Sequence, residues 1–207
     1  MRPNEEATLG RSAKFSDPQR SRSRGFSMVE LAVSLSVALI LTAVAIPSLM
    51  RSFRTYQLND AAARLSDLLK FTRFEAVRRN ATVSFLMRTS GSGWIVGTDS
   101  NNNGTFEPTE KQLLISGFAT LLPSGAPPAS TSITATLGGA STLNTKSGAP
   151  GAVAFDARGA VSPLETDVWY LGSTANPEFG YRAVVLLPSG AVQIWTAPAG
   201  GPWQRIG

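Results

Sequence analysis

Three features of the sequence predict an α+β fold: a long N-terminal helix packed on an antiparallel β-sheet head. Residues 31–50 form an uncharged, largely apolar run. Between Arg51 and Asn80 there is neither Pro nor Gly, and apolar residues recur every three or four positions. Beyond Asn80 the pattern changes to short alternating segments separated by Gly, Ser and Asn.

The chain has 207 residues and 43% hydrophobic composition, enough for one core of ordinary size once an N-terminal segment is set aside. It has no histidine and no cysteine. Disulfides, Cys/His zinc sites, thiol nucleophiles and imidazole acid/base catalysis are thereby excluded together. The turn serines Ser90, Ser92 and Ser189 have no histidine to activate them, and Glu165 with Asp167 is an acidic pair in a Pro-bearing loop. The expectation is a protein without enzymatic activity.

The net charge of +5 suggests nucleic acid only until it is divided along the chain. Residues 1–25 hold six basic against three acidic residues, residues 26–50 hold only Glu30, and residues 51–79 hold seven against three. Residues 80–207 hold six against seven. The excess therefore flanks the apolar run and leaves the head near neutral, a pattern of membrane-proximal charge.

At about 1.5 Å per residue, the twenty residues of 31–50 extend about 30 Å, the thickness of a bilayer core. Ser34, Ser36 and Thr42 can bond to carbonyls of their own helix, and Pro47 is expected to kink it. The rival is a cleaved signal peptide, with Arg20, Arg22 and Arg24 as its basic region and a small-x-small site at Ala43, Val44 and Ala45. Glu30 at the start of the run and its continuation to Met50 argue against that rival. Positive charge on both sides of the span gives only a slight preference for a cytoplasmic N-terminus.

The helix is expected to continue through residues 51–80 as an amphipathic half. Leu58, Ala61, Ala62, Leu65, Leu68, Leu69, Thr72 and Ala76 make its apolar stripe, and Asp60 with Arg64 and Glu75 with Arg79 are favourable i, i+4 pairs. Arg73, Arg78 and Arg79 read as the solvated face. In the head, residues 81–207, TVSFLMRT and GWIVGT form a hairpin, KQLLISGF, AVAFD and VWYLG add strands, and YRAVVLLP turns at Ser189 and Gly190 into AVQIW. The Gly/Ser/Pro-rich stretch at about 119–150 reads as a variable surface excursion with one strand at ITATL.

The stretch RGFSMVELAVSLSVALILTAVAIPSL resembles the N-terminal motif of type IV pilins and type II secretion pseudopilins. In that family a basic leader ends in glycine, an aromatic residue follows, and a glutamate precedes a long apolar helix. The resemblance implies a type IV pilin-like fold. It implies that a prepilin peptidase removes residues 1–25 by cutting between Gly25 and Phe26, that Phe26 is N-methylated, and that 26–50 spans the bacterial inner membrane. The N-terminus would be cytoplasmic, the head periplasmic, and the partners membrane lipid, an inner-membrane assembly platform and other pilins or pseudopilins of the filament. Glu30 then lies one turn from a new positive amine, and pairing with a neighbour's amine would set the axial register of assembly.

FTRFEAVRRNATVSF, GWIVGTDSNNNGTFEPTEKQLL, AFDARGAVSP and YRAVVLLPSGAVQIW together resemble the GspH/FimT group of minor pseudopilins and minor pilins. The implied role is a structural subunit in filament initiation and protein secretion. Some members bind DNA through Gly-Arg-x-Arg in the last hairpin. Here those positions are Gly190, Ala191, Val192 and Gln193, so DNA is not an expected partner. The alternatives are a DNA-uptake minor pilin and an exported β-rich protein with a cleaved signal.

One further constellation has ligand spacing. Asp99, Asn101, Asn103, Gly104, Thr105 and Glu110 fit a twelve-residue calcium loop, with oxygen donors at alternate positions and a final glutamate. The flanks are strand-like, however, and Asn and Gly are ordinary hairpin residues. Calcium is thus a secondary expectation, no other cofactor is expected, and an ordinary turn is favoured.

Overall fold

The computed structural model describes residues 25–139 and 142–206, so apart from Gly25 the expected leader lies outside the described residues. Among the described residues one long helix, α1 (Met28–Arg79), precedes the strands. Helical structure continues through Pro47, as the long Pro/Gly-free stretch after it favours. The chain divides into two compact units, one ending at Val44 and one running Ala45–Gly207.

In the second unit α1 buries Leu58, Ala62, Leu65, Leu68, Leu69, Thr72 and Ala76, the face that the three-and-four spacing marks. Ala61 is only half-buried and packs at the margin. Ser66 and Glu75 join the buried face. The Asp60–Arg64 pair forms at 2.8 Å on the outer side.

Among the described residues the head has eleven strands: β1 (Val83–Ser90), β2 (Gly93–Asp99), β3 (Gln112–Ile115), β4 (Thr120–Leu122), β5 (Leu143–Thr145), β6 (Gly151–Phe155), β7 (Val161–Ser162), β8 (Thr166–Gly172), β9 (Tyr181–Leu186), β10 (Val192–Ala197) and β11 (Gln204–Arg205). They form two sheets, where the sequence pattern predicts a single antiparallel one. One has the order β3-β2-β1-β6-β7 and the other β11-β10-β9-β8-β4. All pairs are antiparallel except β5, which lies parallel to β8. The split follows from β8 and β9, which are buried at every position and therefore need cover on both faces.

Alternation along those strands feeds two cores. Trp169, Leu171, Val184 and Leu186 join the helix stripe, Phe85, Val96 and Phe155 in the inner core. An edge-to-face contact between Phe85 and Trp169, with ring centroids 5.6 Å apart, ties one sheet to the other. Val168, Tyr170, Ala183 and Val185 face the opposite way, toward Leu122, Ile133, Trp195 and Trp203.

The second core changes the meaning of the Gly/Ser/Pro-rich excursion. The expected strand at ITATL is a short helix, α2 (Thr131–Thr136), and Ile133 within it is fully buried against the outer face of the second sheet. The β-branched residues favoured a strand locally, but the exposed face of β8 and β9 needed an apolar plug, and tertiary packing decided the outcome. Trp203 Nε1 donates to Pro128 O at 3.2 Å, fastening the C-terminal end over the same segment. Ser147 Oγ accepts from Tyr170 N at 3.0 Å and donates to Leu122 O, filling the break in the ladder where β8 passes from β5 to β4. The excursion is therefore a cover for the second of the two cores. Ile133→Ala should lower the unfolding free energy by about 2–5 kcal/mol, the range for truncating a fully buried side chain, as read from denaturant melts of the detergent-solubilised protein. A surface excursion would lose almost nothing.

Candidate functional site

The N-terminal segment begins with Gly25 and Phe26 outside α1, both exposed, Phe26 at 77%. Ser27 caps the helix. Its Oγ accepts the Glu30 backbone N–H at 3.1 Å, and its carbonyl accepts from Leu31 N at 3.0 Å. Ser27 and Glu30 are thus the first and fourth residues of an S-x-x-E capping pattern, a signal in the sequence that the search for a processing motif passes over. Glu30 sits in the first helical turn, where the aligned peptide dipoles favour a negative charge, and its side chain is exposed.

From there the helix shows the surface of an anchor. It is long and apolar enough to cross a membrane, and none of its most apolar window is buried within the protein. Leu39, Ile40, Leu41 and Val44 are each more than 60% exposed. Three of its polar side chains are satisfied internally: Ser34 Oγ donates to Glu30 O at 2.7 Å, Ser36 Oγ to Ala32 O at 2.8 Å and Thr42 Oγ1 to Ala38 O at 2.7 Å. Glu30, at the start of the helix, is the one charged residue between Phe26 and Met50.

At the other end of α1 the arginines have specific tasks in the fold. Arg78 and Arg79 both reach Glu75, at 2.7 and 2.9 Å. The Arg78 hydrogen bond leads in holding the Glu75 carboxyl below the usual range, against the opposing effect of burial. Arg73 Nε donates to Gly159 O at 3.0 Å, and Gly190 lies against both. A Cβ on Gly190, whose φ is +78°, would collide with Gly159 O, so only glycine fits this turn. The end of the last hairpin is consequently packed against α1. Gln193 Oε1 accepts from Trp195 Nε1 at 3.2 Å, and no cation occupies positions 190–193.

The 99–110 loop brings its candidate ligands into one turn but spends their oxygens on its own backbone. Asp99, fully buried, accepts from Asn103 N at 3.1 Å and Gly104 N at 2.7 Å through its two oxygens. Asn101 Oδ1 also accepts from Asn103 N at 3.1 Å. Asn103 Oδ1 accepts from Thr105 N at 2.9 Å and Thr105 Oγ1 at 2.7 Å. Glu110 accepts from Ser100 N at 2.7 Å and Glu107 N at 3.1 Å. Glu107, absent from the ligand pattern, ties Asn101 and Asn103 together through its carboxylate. Gly104 takes a φ of +75°, as the sixth position of the pattern requires, but an Asx-rich turn requires the same. Among the described residues no group of three or more acidic side chains is placed to hold a metal ion.

With this geometry in place, comparison with known families is decisive for the head. The model of the family described as Type II transport protein GspH matches residues 61–190. The chain belongs to the GspH family. A second model, the prokaryotic N-terminal methylation motif, matches residues 20–46 and takes in Gly25, Phe26 and Glu30. The GspH-family chain is thus a pilin-like protein of the minor pilin and pseudopilin kind. It is 34% identical over 89 residues to the pilin-like protein PilA1 of Thermus thermophilus. That match covers 42% of this chain and 56% of PilA1, a little over half of the relative's length. Two crystal structures of the type IV minor pilin FimU of Pseudomonas aeruginosa overlap it with TM-scores of 0.47 and 0.43, at 15% and 18% identity. They cover 70% and 69% of this chain and 90% and 94% of their own, a loose superposition.

The loop geometry yields a test that separates a turn from a cation site. Asp99→Ala should cost about 1–3 kcal/mol of stability, the range for leaving buried N–H groups unsatisfied, equally with and without millimolar calcium. A calcium-dependent rise in melting temperature that the variant abolishes would assign the loop to the cation instead.

Proposed function

We propose that this chain is a non-enzymatic structural subunit of a type II secretion pseudopilus or type IV pilus, acting in filament initiation and assembly and, through it, in protein secretion. A prepilin peptidase cuts between Gly25 and Phe26 on the cytoplasmic side, and Phe26 is then N-methylated. The exposed apolar part of α1 holds the protein in the inner membrane with its head periplasmic until the assembly platform moves it into the filament. The observation that carries this reading is the combination at one helix start: the methylation motif at residues 20–46, an exposed Phe26, and an exposed carboxylate at Glu30 ahead of a bare apolar helix.

Physics supports the role given to Glu30. A carboxylate carried into an apolar helix bundle is costly, by several kcal/mol at full depth, unless it is paired. Cleavage after Gly25 creates a cation one helical turn away, and a second subunit can supply its own. The pairing is strong only when the two helices are in one axial register. The remainder of the apolar surface is non-directional, so the glutamate is what discriminates among sliding positions.

Mass analysis of the N-terminal peptide of the protein extracted from its native membrane tests the processing step. A chain that begins at Phe26 and carries one methyl group is expected. A chain that begins at Ile46 would mean cleavage after Ala45 as an ordinary signal peptide, and the filament reading would fall with it.

A further inference from the structure

Lys146 and Asp167 pair at the margin of the interior, the lysine side chain a quarter exposed and the aspartate buried. Lys146 Nζ stands 3.4 Å from Asp167 Oδ1, and Asp167 is only 1% exposed. No described residue donates a hydrogen bond to Oδ1, so the ammonium is its close polar neighbour without completing a bond. Around them Phe85, Met87, Val153 and Trp169 line a small apolar cavity together with Lys146. The backbone on both sides is fixed. β5 lies parallel to β8 with Asn144 opposite Asp167 and Thr145 opposite Val168, and Lys146 N donates to Val168 O at 2.9 Å.

Burial of the Asp167 carboxylate is expensive, and the attraction of Lys146 repays it only when each carboxylate oxygen is also satisfied. Here one carboxylate oxygen is not. Burial raises the Asp167 carboxyl above its usual range, with Lys146 acting in the opposite direction. Burial thus favours the carboxylic acid at Asp167, the form that an amine can attack.

We propose that Lys146 and Asp167 become joined by an intramolecular amide bond that fastens the 119–150 excursion covalently to strand β8. A proton first passes from Lys146 Nζ to the Asp167 carboxylate, leaving amine and acid. The nitrogen lone pair attacks Cγ, the Nζ–Cγ bond forms, the Cγ–hydroxyl bond breaks, and the departing hydroxyl takes a proton from nitrogen and leaves as water. No oxidant or other co-reactant is needed. Fixed backbones on parallel neighbouring strands replace an encounter in solution by rotation of one side chain, which is the condition under which such reactions proceed unaided. Glu165, exposed two residues before Asp167 and held by Asn144 Nδ2 at 2.6 Å, adds a negative charge that pushes the Asp167 carboxyl further up. The product replaces the buried carboxylate and its ammonium partner with one neutral amide, removing the cost of desolvating the carboxylate. A chain without cysteine cannot brace itself with disulfides, and this bond is a covalent brace that its composition allows.

The test is the mass of the full-length chain and of its proteolytic peptides. The wild-type protein should be lighter than its processed sequence by one water, about 18 Da, and digestion should release a branched peptide joining the segments around Lys146 and Asp167. Lys146→Arg keeps the positive charge but cannot form the bond, and should carry no deficit. A wild-type chain of full mass with the two peptides separate overturns the proposal. So does a deficit that persists in Lys146→Arg.

Discussion

One helix in this protein has to meet two different surroundings. Through its first part α1 exposes Leu, Val and Ile on every side. Through its last part it buries a single stripe against two sheets and turns charged residues outward. The boundary between the two habits falls where the charges begin, at Arg51 and Arg54. Everything else in the architecture depends on this continuity, because the helix that carries the long apolar segment is also the element on which the head folds. Along the exposed half the hydroxyls of Ser34, Ser36 and Thr42 are bonded to carbonyls of their own helix, an arrangement that suits an apolar medium.

The head answers the amphipathic half of the helix with two layers. The inner core receives the helix stripe and joins both sheets through Phe85 and Trp169. The outer core exists because β8 and β9 are apolar on both faces. A sheet with such strands cannot leave its far side in water, and the 119–150 segment with α2 and the C-terminal Trp203 supplies the cover. Polar links then fix details that apolar packing leaves open. Arg182, buried on β9, donates to Asn59 Oδ1 on α1 at 2.6 Å, locking helix against sheet at one point. Thr72 and Thr98 meet at 2.7 Å at another. Arg182, Thr72 and Thr98 are all buried, so each contact also serves to exclude helix positions in which a polar group would be stranded.

How much of this the sequence discloses depends on the range of the interactions involved. The helix stripe is legible because residues three and four apart share a face, and every member of it except Ala61 is fully buried. The two hairpins are legible because their turns, Gly91 through Gly93 and Ser189 with Gly190, sit between alternating strands, and both form. What the sequence conceals is set by distant partners. Asn59 and Arg182 are far apart in the chain, and neither has a local signature that marks it for a buried contact. Ile133 stands alone among Thr, Ala and Ser, so no periodicity shows that it is a core residue. The division into two sheets is hidden for the same reason: the order of strands reflects pairings across the whole head. In the candidate site, the glycine, the aromatic residue and the glutamate are recognisable by spacing, whereas Ser27 acquires its meaning only as the cap of the helix that carries Glu30. The 99–110 loop is the converse case, since a ligand-like spacing there serves the backbone of a turn.

The exposed apolar surface of α1 before Arg51 supplies adhesion without register, and the proposed source of register is a single charge, Glu30. The most direct test is to express Glu30→Ala and Glu30→Gln in the native host and to measure, in each, the fraction of processed protein recovered in sheared filaments or in cross-linked assemblies. Both variants should be cleaved and membrane-held as efficiently as the wild type, yet be incorporated at about a tenth of its level or less, corresponding to loss of one desolvated charge pair. Wild-type incorporation of either variant would contradict the assignment of register to Glu30.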